Sequence, residues 1–188
     1  MTDVATVRRE RILEAALGVF AQLGYRKATM ADVAQAADLS RQGLYLQFPS
    51  KQELLTAAVE YELQRALGAV REALAAPGDT ADRIMNALDE WLGKSAGENA
   101  DDVHILGRDN AALLALTFDR ARQRFIDELA TTVEQDFGVG SGDALKAGRA
   151  LHAVATGWKY LARDRDDFRA RVREAAGLIV SGAASPAK

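Results

Sequence analysis

The chain has 188 residues, 48 % of them hydrophobic and 27 % charged, and it contains no cysteine, which excludes disulfides, thiolate metal sites and cysteine nucleophiles. No apolar run approaches the ~20 residues that span a bilayer, and the N-terminus lacks the uninterrupted apolar core of a signal peptide, so we predict a cytoplasmic protein without membrane association. The formal net charge is -3, divided into +2 over residues 1–51 and -5 over the remainder, and a basic head on an acidic body does not by itself identify a nucleic-acid-binding protein.

Helix-forming residues dominate the sequence. Ala, Leu, Glu, Arg and Gln are frequent, sustained period-two alternation is absent, and the three prolines fall between helical patterns or in the tail. We therefore predict an all-α fold with about nine helices. The first helix spans about residues 6–23, with Ile12, Ala16 and Phe20 on one apolar stripe and Gly24 just past its end.

Two short helices follow, joined by a tight turn. Thr29 has the position of a helix cap, and Asp32 stands three residues later in the reciprocal position of a capping box. Ser40 caps the second of these helices, which is barely two turns long and too short to be stable alone. Leu44 and Phe48 lie four residues apart on one face and can anchor it on the preceding helices. This pattern predicts a helix-turn-helix.

The other face of the short helix carries polar and aromatic residues that point to DNA. Five side chains are left toward solvent: Arg41, Gln42, Tyr45, Leu46 and Gln47. Arginine can bind guanine and glutamine can bind adenine with two hydrogen bonds each, and an apolar side chain can contact a thymine methyl. The short helix is therefore predicted to read base edges in a major groove. Each of these residues taken alone is more often structural, and Tyr45 could equally cover the edge of the core.

A long fourth helix is predicted from about Ser50 to residue 76, before a break at Pro77-Gly78. Ser50 and Glu53 have the spacing of a capping box. Lys51 stands in the first turn, where a cation opposes the helix dipole, and a phosphate nearby would account for this placement. The later helices are predicted over about residues 80–96, 101–116, 118–137, 142–163 and 166–182, with a loop over 97–102.

The first part of the chain carries a set of apolar, glycine, hydroxyl, aromatic and charged residues in a characteristic order. They are Ile12, Ala15, Ala16, Phe20, Gly24, Tyr25, Thr29, Met30, Val33, Ala34, Ser40, Leu44, Tyr45, Phe48, Ser50, Lys51, Glu53, Leu54 and Leu55. In this order and spacing, residues 8–56 closely resemble the DNA-binding domain of the TetR family of bacterial transcriptional regulators. The rest of the chain matches that family only in the number and length of its helices.

The resemblance implies DNA-binding roles for nine residues. Thr29 and Ser40 would cap their helices and help bring backbone N–H groups to phosphate, and Tyr45 and Lys51 would contact phosphate. The remaining positions would touch bases or phosphates: Arg41, Gln42, Gly43, Leu46 and Gln47.

Two residues of the helix-turn-helix depart from the family pattern. Asp38 stands in the turn where glycine is usual, and aspartate tolerates a left-handed conformation at some cost. Gly43 stands where many relatives carry threonine, which removes one side-chain contact and allows the backbone to approach DNA closely. Both differences bear on which operator sequence the protein recognises, and not on whether it binds DNA.

The resemblance further implies two domains, a helix-turn-helix DNA-binding domain over residues 1–50 and an effector-binding and dimerisation domain over residues 51–188. The family's homodimer is a four-helix bundle from the last two long helices. Its expected interface residues here are Ala147, Ala150, Val154, Gly157, Leu161, Phe168, Val172, Ala176 and Ile179.

A ligand pocket is expected among the fourth, fifth, seventh and eighth helices. Its candidate lining residues are Tyr61, Met85, Trp91, His104, Asn110, Phe125, His152 and Thr156. Aromatic residues and methionine at helical spacing form core more often than pocket, so a purely structural interpretation competes with this one. The mostly uncharged lining favours an apolar or aromatic effector.

Two other classes of function are weighed against this one. His104 with Asp101, Asp102 and Asp109 would suit a metal-dependent enzyme, but the cluster lacks a second histidine, and the sequence has no Gly-rich phosphate loop, nucleophile elbow or HExxH motif. A helical interaction protein without DNA binding would have no use for the phosphate-contacting positions. We therefore predict a non-enzymatic transcriptional repressor without cofactor or metal, which binds an inverted-repeat operator on double-stranded DNA as a homodimer and is released by a small-molecule effector.

Overall fold

The computed structural model describes residues 4–96 and 102–183, and the regular structure of these residues is helical. The helices are α1 (Val4–Leu23), α2 (Met30–Ala36), α3 (Arg41–Gln47), α4 (Lys51–Ala75), α5 (Thr80–Leu92), α6 (Asp102–Asp109), α7 (Ala111–Phe137), α8 (Ser141–Leu161) and α9 (Arg165–Ala183). One turn of 3-10 helix, Gly93–Ser95, follows α5 directly. For the described ranges, the predicted all-α fold with about nine helices is confirmed.

The chain divides into two compact units. The first comprises Met1–Gln64 and Asp102–Asp119, and the second comprises Arg65–Asp101 and Arg120–Lys188. Helices α4 and α7 each begin in the first unit and end in the second.

The first unit contains α1, α2, α3 and α6, with the beginnings of α4 and α7. Its buried apolar side chains recur at helical spacing on successive helices: Ile12, Ala16, Phe20, Val33, Leu44, Phe48, Leu54, Leu55 and Ala58. Helices α1 and α2 are in contact, as are α2 and α3, and α6 packs on α1. Burial of these stripes stabilises α2 and α3, each only seven residues long, because an isolated helix of that length is marginal in water.

The second unit has its own core, centred on Phe125 and Phe168, both fully buried. Helices α5, α8 and α9 pack on one another. Close approach of α8 and α7 requires a residue without a side chain, because a Cβ at Gly148 would lie 2.9 Å from the backbone oxygen of Ile126. A glycine at this point allows two long helices to bury their faces against each other.

The junction between the sixth and seventh helices differs from the sequence prediction. The sequence predicts a sixth helix that ends near residue 116, whereas the structure ends α6 at Asp109 and begins α7 at Ala111. The Asn110 carbonyl accepts hydrogen bonds from amides in the first turn of α7, and its side-chain amide donates to the Leu106 carbonyl oxygen at 2.9 Å. Asn110 therefore ends one helix and starts the next within a stretch that the sequence analysis assigned to a single helix. Among the described residues, no helix is long and apolar enough to cross a bilayer.

Candidate nucleic-acid interface

The start of α2 is held by the predicted capping box. The Asp32 amide donates to Thr29 Oγ1 at 3.2 Å, and the Thr29 amide donates to Asp32 Oδ2 at 2.8 Å. The Thr29 hydroxyl also donates to Asp32 Oδ2 at 2.8 Å. The hydrogen bond from the Thr29 hydroxyl lowers the pKa of Asp32 most, and the bond from the Thr29 amide lowers it further. The carboxylate therefore stays ionised at the helix N-terminus, where negative charge is favourable. The residue at which α2 starts is thus determined by hydrogen bonds within its own sequence.

The turn between α2 and α3 places Asp38 in the left-handed region, with φ +55°. It has the only positive φ among the described residues that are not glycine. The Leu39 amide donates to the Ala34 carbonyl oxygen at 2.8 Å and closes the turn. Asp38 therefore adopts the left-handed conformation that is expected of a residue in place of the family's glycine.

We expect Asp38→Gly to stabilise the first unit by about 0.5–1 kcal/mol, because glycine adopts positive φ without the steric cost borne by a side chain. Hydrogen exchange of the Leu39 amide would measure the change. Asp79→Gly is a suitable control, because Asp79 is extended, with φ -68°, and caps α5 through its side chain, so the same substitution should destabilise there. Faster exchange at Leu39 in Asp38→Gly would contradict the strain assigned to this turn.

Helix α3 is anchored by its inward face and its cap. Leu44 and Phe48 are buried, as predicted, and Ser40 Oγ accepts a hydrogen bond from the Gly43 amide at 3.0 Å. The Arg9 guanidinium of α1 lies over the Phe48 ring, 4.6 Å from its centroid. A Cβ at Gly43 would lie 3.2 Å from Ser40 Oγ, so the cap leaves little room for a larger side chain at this position. The helix is held rigidly although it is short.

The outward face of α3 is largely free of protein contacts. Arg41 and Gln42 are exposed, Tyr45 is 43 % exposed and Leu46 is 81 % exposed, whereas Gln47 is half-buried. A leucine exposed to this degree on a two-turn helix has no role in the core of the chain. The combination of bidentate polar groups with one apolar side chain matches what base edges in a major groove offer.

The structure gives Lys51 a different environment from the one that the sequence suggested. Its ammonium donates to the backbone oxygens of Tyr25 at 2.7 Å and Ala28 at 2.9 Å, and to that of Arg26 at 3.4 Å. It also lies 4.5 Å from the centroid of the Tyr25 ring. The ammonium is therefore bound within the first unit, which explains a cation in the first turn of α4 without a phosphate.

The structure brings together some of the candidate ligand-lining residues and not others. In the second unit the Trp91 and Phe125 rings stack at 4.9 Å and 13°, and the His152 ring meets Phe125 edge-on at 6.0 Å. Burial, together with the positive charge of Arg122, lowers the pKa of His152, which keeps the imidazole neutral at pH 7. These three rings form the aromatic cluster of the second unit.

The other candidates are distributed over both units. Met85 is buried in the second unit, and the Thr156 hydroxyl there is buried without a hydrogen-bond partner in the described part of the chain. Tyr61 and Asn110 belong to the first unit, where the Tyr61 hydroxyl donates to Glu14 Oε1 at 3.2 Å. The side chain of His104 lies outside the described residues.

A cleft of about 460 Å³ lies in the first unit, beside the turn before α3. It is lined by Val7, Arg8, Arg11, Ile12, Ala37, Asp38 and Leu39, none of which was among the candidate ligand-lining residues. No group of three or more metal-ligating side chains occurs within the ranges 4–96 and 102–183, apart from the side chains excluded from description. Most of the alternative metal site weighed from the sequence lies outside the described residues, namely Asp101 and the side chains of Asp102 and His104.

Four of the expected dimer residues have a different role. Ala147, Phe168, Val172 and Ala176 are buried in the core of the second unit of a single chain and have no surface left for a partner. The prediction for these four was wrong because α8 and α9 each carry apolar residues on two faces, and periodicity does not say which face turns inward. Of the others, Ala150, Gly157 and Leu161 are exposed, and Val154 and Ile179 are half-buried.

The exposed apolar residues of α8 and α9 include side chains that the sequence analysis missed. Tyr160 is 77 % exposed and Leu178 72 %, and Leu161, which was among the expected dimer residues, is 70 % exposed. On α8, Tyr160 and Leu161 continue an exposed row of small residues, Ala150, Ala153 and Gly157. Large exposed apolar side chains that follow a row of small residues on one helix are typical of a surface that binds another protein.

A buried ion cluster in the second unit also escaped the sequence analysis. Asp89 of α5 is 2 % exposed and accepts two hydrogen bonds from Arg165, at 2.9 and 2.8 Å, and a further one from Arg169. Arg169 also donates to Asn86 Oδ1 at 3.3 Å. A Cβ at Gly93 would overlap the Asp89 carboxylate, so the glycine after α5 makes room for this cluster. Asp89 lies 76 residues from Arg165, and only the fold pairs them.

A capped two-turn helix anchored by buried residues, with a polar and apolar outward face, defines the class of helix-turn-helix transcriptional regulators. Residues 12–58 match the family described as bacterial regulatory proteins, tetR family. The chain is 30 % identical over 131 residues to the HTH-type transcriptional repressor Rv1474c of Mycobacterium tuberculosis, and the match covers 65 % of this chain and 68 % of that protein. The chain belongs to the TetR family of bacterial transcriptional regulators.

Two further similarities show how far this family likeness extends. The HTH-type transcriptional activator FasR of Mycolicibacterium smegmatis is 35 % identical over 85 residues, which are 45 % of this chain and only 39 % of that protein. The crystal structure of a TetR-family regulator from Mesorhizobium loti has a TM-score of 0.77 at 14 % identity and covers 96 % of this chain and 98 % of that one. The fold is therefore that of the family over nearly the whole chain, whereas the family model matches residues 12–58 alone.

Proposed function

We propose that this protein is a ligand-responsive cytoplasmic repressor that binds an inverted-repeat operator as a homodimer. The observation that carries the proposal is the outward face of α3, where Arg41, Gln42 and Leu46 are exposed on a helix fixed by its cap and by buried Leu44 and Phe48. Repression is supported by the name of the relative Rv1474c, although the relative FasR is named as an activator.

In this proposal α3 enters the major groove, and the residues around it contact the backbone. Arg41, Gln42, Leu46 and Gln47 meet base edges, and Tyr45 meets a phosphate with its hydroxyl. Residues 1–50 form the DNA-binding domain, and residues 51–188 form the effector-binding and dimerisation domain. Selection of bound sites from random DNA would test the assignment directly: recovery of an inverted repeat supports it, and recovery of unrelated sequences contradicts it.

We expect alanine substitution of Arg41, Gln42 or Gln47 to cost about 1–3 kcal/mol at the preferred operator and to relax the preference at one base pair in each half-site. The reason is that each side chain can make paired hydrogen bonds that a methyl group cannot. Binding isotherms on the selected operator and on single-base variants would measure both effects. Gln64→Ala, an exposed glutamine of α4 outside this face, is the control. If the selected sequence is unchanged in all three variants, α3 does not read the bases.

Dimerisation is required because one two-turn helix contacts too few base pairs to recognise a specific operator sequence. Two copies related by a two-fold axis would present two α3 helices about 34–36 Å apart, one turn of the duplex. The exposed Gly157 and Leu161 of α8 and the exposed Leu178 of α9 support an interface built on these two helices.

The effector is proposed to be an apolar or aromatic small molecule that binds in the second unit near the aromatic cluster of Trp91, Phe125 and His152. A neutral imidazole and the buried Thr156 hydroxyl would give such a site two polar groups in an apolar surrounding. Because α4 runs without interruption from Lys51 to Ala75, an effector that shifts its second half would also shift its first turn. The ligand would favour one spacing of the two α3 helices and DNA another, so ligand binding would lower the affinity for DNA.

A further inference from the structure

The first turn of α4 is connected to the loop between α1 and α2 by a single side chain. The Lys51 ammonium lies on three backbone oxygens of residues 25–28 and donates to two of them at 2.7 and 2.9 Å. An ammonium has three N–H donors, and the three oxygens are its hydrogen-bond partners within the chain. Lys51 is half-buried, and its stem reaches across 26 positions of sequence to Tyr25.

The loop that Lys51 holds is the segment that leads into α2. Gly24 ends α1 in the left-handed conformation, with φ +74°, and the Ala28 amide donates to the Gly24 carbonyl oxygen at 3.1 Å. Thr29, the cap of α2, follows directly. The Tyr25 ring lies under the Lys51 ammonium and contacts the buried Phe20 ring edge-on, with centroids 5.8 Å apart. The same ammonium therefore fixes both the backbone of the loop and its aromatic side chain.

We infer that Lys51 is a positioning residue for DNA binding, which clamps the α1–α2 loop to the first turn of α4 and does not itself neutralise a phosphate. This inference rests on the proposed DNA binding only for its effect on affinity. The clamp itself is a property of the free protein. Three carbonyl dipoles converging on one ammonium stabilise the charge that the dipole of α4 opposes.

The two roles make opposite predictions for Lys51→Arg. A phosphate contact would tolerate arginine, because guanidinium binds phosphate at least as well as ammonium does. A planar guanidinium cannot direct three N–H groups toward three converging carbonyls in the way a tetrahedral ammonium can. The clamp therefore predicts that arginine, although it keeps the charge, does not restore the loop.

The test combines hydrogen exchange in the free protein with DNA binding at several salt concentrations, for Lys51→Met, Lys51→Arg and a control, Lys27→Met. Lys27 is an exposed lysine of the same loop. In both Lys51 variants we expect the Ala28 and Asp32 amides to exchange about tenfold faster, with the Phe48 amide, bonded to the Leu44 oxygen at 2.9 Å, unchanged as an internal reference. We expect Lys27→Met to leave all three amides unchanged.

On DNA, both Lys51 variants should bind roughly tenfold more weakly with the slope of log affinity against log salt preserved. Unchanged exchange at Ala28 and Asp32 would overturn the clamp. A slope reduced by about one unit in Lys51→Met, with full binding in Lys51→Arg, would equally overturn it and assign the ammonium to a phosphate. If the wild-type protein bound no DNA, the proposed function would fail, and the exchange data would still decide the clamp.

Discussion

Gly157→Arg is expected to convert the protein from a dimer to a monomer and to weaken binding to an inverted-repeat operator by about a hundredfold or more, because two linked half-site contacts become one. Gly157 is exposed near the C-terminal end of α8, and a Cβ added there would have no crowding neighbour within 4 Å. Arginine also has a higher helix propensity than glycine. The variant should therefore fold normally and lose only its partner, which would meet a long charged side chain.

Light scattering and operator binding would check this expectation together. The wild-type protein should have a mass of about 41 kDa, twice the 20.3 kDa chain, as a closed two-fold assembly requires. Gly142→Arg is a matched control, because Gly142 is also exposed and uncrowded and lies about 22 Å from Gly157 along the same helix. A monomeric wild type, or a monomeric Gly157→Arg variant that still binds the inverted repeat tightly, would refute the proposed interface.

The second large effect is expected at the buried carboxylate of Asp89. Removing it by Asp89→Ala should destabilise the second unit by about 3 kcal/mol, since two guanidinium groups arranged around one buried charge would lose their partner. The Arg165 and Arg169 side chains are 47 % and 35 % exposed, so both can turn toward water, and this places the cost at the lower end of the range for a broken buried ion pair.

Unfolding of the second unit can be followed by intrinsic fluorescence, because Trp91 and Trp158 are the only two tryptophans and both belong to this unit. Asp82→Ala provides the control. Asp82 is also an aspartate of α5 paired with an arginine of α9, Arg173 at 3.2 Å, but both side chains are more than half exposed, and the loss should stay below about 1 kcal/mol. Equal losses in the two variants would show that burial at Asp89 does not determine the stability of the second unit.

The DNA-binding segment was the part of the fold that could be predicted residue by residue. The predicted features there all depend on groups within five positions of one another: the capping box at Thr29, the hydrogen bond from the Glu53 amide to Ser50 Oγ, the buried pair Leu44 and Phe48, and the strained turn at Asp38. Such contacts recur wherever the same local order of residues occurs, because hydrogen bonds at i and i+3 form before any distant part of the chain is involved.

The predictions for the second unit were less successful, for an equally specific reason. Helices α8 and α9 carry apolar residues on more than one face, and a stripe at helical spacing is the same pattern whether it packs inside the chain or against a second copy. Phe168 and Val172 fill the core of one chain, whereas Leu178 is left at the surface. Periodicity identifies a face, but only the packing of α5, α8 and α9 decides which face is inside.

The sequence by itself determined the all-α class, the helix-turn-helix and four of the five residues predicted to face solvent on α3, because these follow from composition, helical spacing and short-range caps. The fifth, Gln47, is half-buried. The tertiary structure alone decided the environment of Lys51, which binds carbonyl oxygens up to 26 positions away, and the pairing of Asp89 with Arg165 across 76 positions. A charged side chain on a long flexible stem can reach several partners. Which partner it finds depends on where packing of the apolar faces has placed the backbone, and that is a property of the whole fold.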